Sequence, residues 1–196
     1  MIKNIFETKI FESFYPNFGI IKEDISTKLL NLFNKDSTHR NFGGTAKCNY
    51  WQVNGQLHNY EEVKLIVEFV TAQAKLYWKD IGYKNVDRVG IRHCWANVTP
   101  KGGCTKNHHH LPAPVSGCFY VNATPEMGNI VFEHPFIKTL AYQPWDNSLT
   151  TAYSNTIEIE SMSGKLVLFP GYLNHWVNDN ITDNNRIVIA FNIMPI

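Results

Sequence analysis

Six short runs rich in β-branched and aromatic residues follow one another through the second half of the chain: RVGIRHCWANV, VSGCFYVNA, GNIVFEH, NTIEIE, GKLVLFP and RIVIAFNIM. Gly, Pro, Asn or Asp bounds each run, and these residues end strands through their backbone preferences. Closely spaced strands with turn signals specify an antiparallel sandwich or barrel rather than βαβ units. The first half reads differently. IKEDISTKLLNLFN (21–34) carries Ile25, Leu29, Leu30, Leu32 and Phe33 near helical spacing, with acidic residues in its opening turn. YEEVKLIVEFVTAQAKLYWKDIG (60–82) carries a second stripe of Val63, Ile66, Phe69, Val70 and Leu76. The expected class is α+β, with the two helices buttressing one face of the strands.

No linker, repeat or low-complexity segment divides the 196 residues. One domain is expected, helical over 1–86 and a β-barrel over 87–196, large enough to bury a core and one cavity. NFGGTAKCNYWQVNG (41–55) reads as loop, and KTLAYQPWDNSLTTAYS (138–154) as a lid or binding loop in which Trp145 and Tyr153 could shape a substrate wall. A net charge of +1, and no Lys/Arg-rich run interleaved with aromatics, argue against nucleic acid as the partner. The opening residues lack the apolar core of a signal peptide, and the apolar runs are too short to span a bilayer. Cys48, Cys94, Cys104 and Cys118 form no C-x-x-C pair, so free thiols in a reducing compartment are expected. These features place the chain in the cytoplasm, with no membrane partner.

KNHHHLPAPVSG (106–117) raises the question of metal binding. Alternate residues of a strand share a face, so His108 and His110 can point together while His109 points away. A solvated polar loop would explain the tract equally well if it stood alone. It is followed by SGKLVLFPGYLNHWV (163–177), a strand, a Pro-Gly turn and His175. That order is how a double-stranded β-helix brings a distal histidine opposite a proximal pair. Arg186 then opens the strand RIVIAFNIM. A buried guanidinium must be paired, and a ligand carboxylate in a cavity would satisfy it. The plainer alternative sets Arg186 at the strand edge beside Asp183.

With these residues in view, the chain resembles the 2-oxoglutarate- and Fe(II)-dependent oxygenases, and within them uncharacterised members from marine bacteria and their viruses. The residues that carry the resemblance are WAN at Trp95–Asn97, the turn at Gly102 and Gly103, and H-x-H at His108 and His110. SGCFYV at Ser116–Val121, FPGYLNH at Phe169–His175 and RIVIAFN at Arg186–Asn192 complete the set. The likeness runs from about residue 90 to the end, and more weakly back through the helices. It implies a double-stranded β-helix, jelly-roll or cupin-like core. It further implies Fe(II) held by His108, His110 and His175, and 2-oxoglutarate paired to Arg186. O2 would be consumed as 2-oxoglutarate becomes succinate and CO2 and a substrate C–H bond is hydroxylated. Ser116 and Tyr120 could reach the cosubstrate or substrate through their hydroxyls, and Asn97 and Asn192 through their amides. The substrate would be a small molecule or a peptide.

One departure from the superfamily concerns the ligand set, which is commonly two His and one carboxylate. The HHH tract offers no Asp or Glu. His110 could be the third ligand, water could replace it, His109 could substitute after a register slip, or Glu133 could face inward from another strand. Two other readings use the same barrel. A cupin-type metal or ligand-binding barrel fits Gly102 with H-x-H and Gly164 with Pro170 and His175. It lacks the Glu expected after His110 and has no need of Arg186. A structural or virion-associated module without catalysis would hold no iron.

Overall fold

The computed structural model describes residues 7–35, 40–41 (backbone only), 46–50, 52–136 and 154–196. The segment expected to form a lid, with Trp145 and Tyr153, lies outside the described residues apart from Ser154. The elements in order are β1 (Phe11–Phe14), α1 (Lys22–Asn34), β2 (Arg40–Asn41), β3 (Lys47–Cys48), α2 (Lys64–Asp80), β4 (Val89–Thr99) and β5 (Thr105–His108). There follow β6 (Val115–Asn122), β7 (Ile130–Glu133), β8 (Thr156–Ile159), β9 (Lys165–Pro170), β10 (His175–Val177) and β11 (Arg186–Pro195). Two antiparallel sheets form, β1-β9-β6-β11-β4-β3-β2 and β5-β10-β7-β8. The α+β class and the jelly-roll core are as the sequence leads one to expect.

Each of the six β-rich runs forms a strand within a residue or two of its punctuation. The 41–55 segment, expected as loop, contributes the two-residue strand β3, whose Lys47 and Cys48 pair with Val98 and Asn97 of β4. Both helices pack on the outer face of the larger sheet. α1 buries Ile25, Leu29, Leu32 and Phe33, and α2 buries Ile66, Val70, Ala74, Tyr77 and Trp78. Leu76 does not belong to that stripe as expected: it is 58% exposed. At about 100° per residue it lies a quarter-turn from Tyr77, which takes the inward position and donates its hydroxyl to the Lys9 carbonyl at 2.7 Å. α2 stops at Asp80, just before Gly82 at φ 101°, a left-handed position where a glycine meets no Cβ penalty.

Strand β11 lies in the middle of the larger sheet, bonded to β4 on one side and β6 on the other. Its Ile187, Ile189, Phe191 and Ile193 join the core beneath the helices, with Val115, Phe119 and Val121 of β6 and Cys94, Ala96 and Val98 of β4. The alternate residues Arg186, Val188, Ala190 and Asn192 face the other way, into a cavity between the sheets. A second core of Tyr120, Ile130, Phe132, Phe169 and Leu173 closes that space on one side. Among the described residues no helix is long and apolar enough to cross a membrane. All four cysteines are free thiols, three of them buried.

The two helix positions give a direct check of the packing. Leu29→Ala, at a fully buried site, is expected to lower unfolding free energy by about 2–5 kcal/mol in urea titrations. Leu76→Ala is expected to stay within about 0.5 kcal/mol of the parent.

Candidate active site

Pairing registers define the cavity floor. Arg186 of β11 lies opposite Thr99 of β4, Val188 opposite Asn97, Ala190 opposite Trp95 and Asn192 opposite His93. On the other flank Val188 faces Tyr120 of β6, Ala190 faces Cys118 and Asn192 faces Ser116. The smaller sheet lies across from this floor and carries His108 and His175, with His110 just beyond the end of β5. His108, the last residue of β5, is paired with His175, the first of β10. Their rings lie 4.3 Å apart between centroids, and His110 lies 5.0 Å from His108 and 5.1 Å from His175. One ring nitrogen from each falls within 4.8 Å of the others, and among the described residues no Asp or Glu joins the group.

His108 and His110 converge, but not by strand alternation, because β5 ends at His108. His110 is placed by the turn after β9: its N–H donates to the Gly171 carbonyl at 2.8 Å, and its own carbonyl accepts from Ala113 at 2.9 Å. Gly171 is required there, since a Cβ on it would collide with the Ala113 carbonyl. His109 is exposed at the cavity rim, its Nδ1 accepting from the Leu111 N–H at 3.3 Å. Glu133 is held by Asn174 Nδ2 at 3.0 Å and does not line the cavity.

The donor set fits a divalent transition metal. His108 Nδ1 donates to the Lys106 carbonyl at 2.8 Å and His175 Nδ1 to the Leu173 carbonyl at 2.9 Å, which leaves each Nε2 lone pair for a ligand. Burial, reinforced by the neighbouring imidazoles, drives the pKa of His110 down to about 3 and that of His175 to about 4. His108 is lowered mainly by burial. All three are therefore neutral near pH 7, the form that ligates metal. Phe132 and Phe169 pack on His175 at 5.7 and 4.8 Å and hold the ring in place.

At the far end of the floor Arg186 is 3% exposed. Its Nη1 donates to the Met127 and Gly128 carbonyls at 2.8 and 2.9 Å, and its Nη2 to Thr99 Oγ1 at 3.3 Å. Asp183, the alternative partner, is bound instead to Lys101 Nζ at 2.9 Å. Among the described residues no carboxylate pairs with Arg186, so neutral oxygens alone surround a buried cation. Burial lowers its pKa, and an anion brought to it would recover part of that desolvation cost. Gly128, at φ 98°, is part of the cradle: a Cβ there would collide with the Asn178 carbonyl and lie 2.5 Å from Nη1.

Tyr120 Oη is buried on the same floor as Arg186, with the weakly bonding Cys118 thiol beside it and no nitrogen or oxygen partner. Burial, with Cys118 beside it, raises the phenol well above its ordinary pKa and keeps it protonated. A buried hydroxyl without such a partner costs about 1–3 kcal/mol and marks where a polar ligand atom is missing. Asn97 and Asn192 also line the cavity. Ser116, expected to reach a bound molecule, is not among the lining residues. Its hydroxyl lies 3.1 Å from both the Phe191 carbonyl and Asn192 Oδ1, so it acts on the neighbouring amide. Thr99, Met127, Gly128, Tyr50 and Trp95 belong to the site and escape sequence reasoning. Only the Trp95 motif gave a signal. The cavity, of about 420 Å³, runs from the guanidinium past the histidines to Trp95 and Tyr50.

Residues 93–192 match the sequence model of a family described as "Putative 2OG-Fe(II) oxygenase". No curated protein matches the sequence. Solved structures do. The non-heme alpha ketoglutarate dependent carbocyclase SnoK from nogalamycin biosynthesis is 11% identical, with a TM-score of 0.68 over 96% of this chain and 80% of that one. HygX from Streptomyces hygroscopicus, solved with nickel, 2-oxoglutarate and hygromycin B, is 12% identical, with a TM-score of 0.60 over 96% and 83%. A Pseudomonas putida prolyl-4-hydroxylase is 14% identical, with a TM-score of 0.57 over 93% and 91%. At these identities the structural likenesses establish the fold. The family match spans half of the chain and contains His108, His110, His175 and Arg186. The chain belongs to the 2OG-Fe(II) oxygenases, enzymes whose cofactors are Fe(II) and 2-oxoglutarate.

Proposed function

We propose that this oxygenase is a hydroxylase in which His108, His110 and His175 bind Fe(II) and Arg186 anchors the distal carboxylate of 2-oxoglutarate. The single observation that carries the reading is the buried Arg186, with no carboxylate partner among the described residues, on the cavity floor that faces the histidine cluster. A cupin-type or non-catalytic barrel gives that charge no purpose. The nearer kinship with oxygenases of marine bacteria and their viruses rests on the motif set alone, and the free thiols support a cytoplasmic setting.

Fe(II) and 2-oxoglutarate, when bound, supply the oxidation: substrate C–H, O2 and 2-oxoglutarate give substrate C–OH, succinate and CO2. The residues of the chain do the rest. Arg186 contributes a fixed cation whose Nη1 is occupied by carbonyls, which leaves Nε–H and the second N–H of Nη2 for a ligand. Tyr120 donates its hydroxyl to the same carboxylate. The Nδ1 bonds of His108 and His175 fix the tautomer that ligates. Phe169, Val188 and Ile130 exclude water along the path between the two ends. Ser116 positions Asn192 by its hydrogen bond, and Asn192 and Asn97 face the substrate side.

Three outcomes test these roles. Succinate formation from 2-oxoglutarate under air, with Fe(II), should fall at least 100-fold in His175→Ala; an unchanged rate would remove the histidine from the site. Calorimetric titration of 2-oxoglutarate should show at least ten-fold weaker binding to Arg186→Ala with iron still retained, in line with losing a charge-assisted contact. Tyr120→Phe should separate two effects. The ligand-free protein gains about 1 kcal/mol of stability as an unsatisfied hydroxyl disappears, while 2-oxoglutarate binds several-fold more weakly. A stability loss with unchanged affinity would make Tyr120 a packing residue only.

A further inference from the structure

Beyond the histidines, on the side away from Arg186, the cavity floor ends at Asn192, Trp95 and Tyr50. Tyr50 meets Trp95 edge-on at 5.5 Å, and Trp95 lies 5.8 Å from the His110 ring. This aromatic wall therefore borders the metal cluster. Asn192 Oδ1 lies 3.1 Å from the Ser116 hydroxyl, whose single proton it shares with the Phe191 carbonyl, and this contact turns Nδ2 toward the cavity that Asn192 lines. Among the described residues Nδ2 has no acceptor. Ser116 is 1% exposed, so the residue that orients the amide is itself buried. The chain has built a fixed N–H donor beside an aromatic wall, and the donor calls for an acceptor oxygen.

Charge balance says what kind of oxygen. The cluster supplies three neutral imidazoles, the exposed Lys47 at the rim adds a cation, and no Asp or Glu lines the cavity among the described residues. 2-Oxoglutarate is a dianion: one carboxylate matches Arg186, and the other matches only one of the two charges of Fe(II). A site with a carboxylate ligand would have neutralised the second, but this one leaves it in a cavity walled by Phe169, Val188, Ile130 and Trp95. Unbalanced charge is expensive in such surroundings. A negatively charged substrate reduces the positive excess, and its carboxylate oxygen meets the Asn192 donor beside the metal cluster while the exposed Lys47 stays solvated at the rim.

Building on the oxygenase reading above, we propose that the substrate is a small organic anion whose carboxylate is received by Asn192 Nδ2, with its carbon body against Trp95 and Tyr50. Asn192 is then a specificity-determining residue and Ser116 its positioning residue.

The test uses matched acids and amides of one shape: benzoate against benzamide, and phenylacetate against phenylacetamide. Each is titrated into full-length protein loaded anaerobically with Fe(II) and saturating 2-oxoglutarate. Binding is followed by NMR saturation transfer, and the visible Fe(II)–2-oxoglutarate absorption band is recorded at every point. The acids should bind at least ten-fold more tightly than their amides, with the band retained. Asn192→Asp keeps the shape and the Ser116 contact but adds a negative charge, and should abolish or reverse that preference. Ser116→Ala should reduce the preference while leaving 2-oxoglutarate affinity unchanged, which a merely structural role would not do. Equal binding of acids and amides, or binding of neither, overturns the proposal. Bleaching of the band by an acid overturns it as well, because the acid has then displaced 2-oxoglutarate. Persistence of the preference in Asn192→Asp overturns the role of Asn192. Failure of the band to form before any probe is added sinks the cofactor reading, and this inference with it.

Discussion

Strand β11 is hydrogen-bonded on both edges, and its two faces have incompatible environments. Ile187, Ile189, Phe191 and Ile193 fill the core under the helices, while Arg186, Val188, Ala190 and Asn192 floor the cavity. A slip of one residue would put a guanidinium among the helix contacts and isoleucines in the active site. The hydrophobic pattern that stabilises the fold therefore also sets the order of groups along the cavity: the cation at one end, two small apolar side chains in the middle and an amide at the other. His108 and His175 arrive from the opposite sheet and His110 from the turn after β5, at the level of Trp95 and Phe169.

The site's electrostatics depend on what is missing from it. A carboxylate near Arg186 would pair with it and cancel its charge, and the neighbouring acid, Asp183, is instead paired with Lys101. Carbonyl oxygens of Met127 and Gly128 hold the guanidinium in place without neutralising it. The histidine cluster is neutral for a related reason: burial makes three adjacent imidazolium ions untenable, so the unliganded rings already have the protonation state that metal binding needs. Both ends of the cavity are thus prepared before any ligand arrives, at the cost of a buried charge and a phenol without a nitrogen or oxygen partner.

Much of this was legible in the sequence. Alternation and turn residues gave the strands, and the spacing of His175 and Arg186 after the HHH tract picked out both ends of the site. What was not legible depends on distant partners. Leu76 has the right chemistry for the helix stripe, but Tyr77 and Trp78 occupy its phase, a competition that only packing resolves. Ser116 shares a face with Tyr120, yet the register of β6 on β11 brings it to Asn192 first. Similarly, His110 looks like a strand residue two places after His108, but its placement comes from Gly171, sixty-one residues downstream. The Arg186 cradle is made of backbone carbonyls, which carry no side-chain signal at all.

On this reading His108, His110 and His175, with no carboxylate beside them among the described residues, hold Fe(II), and Arg186 holds 2-oxoglutarate. The most direct test is anaerobic: Fe(II) is added to the purified protein, then 2-oxoglutarate, and the visible spectrum is recorded. Chelation of the ferrous ion by the keto acid gives a charge-transfer band, which should appear with one equivalent of each and be lost in His175→Ala. Iron bound with no band, or no iron bound at all, would contradict it.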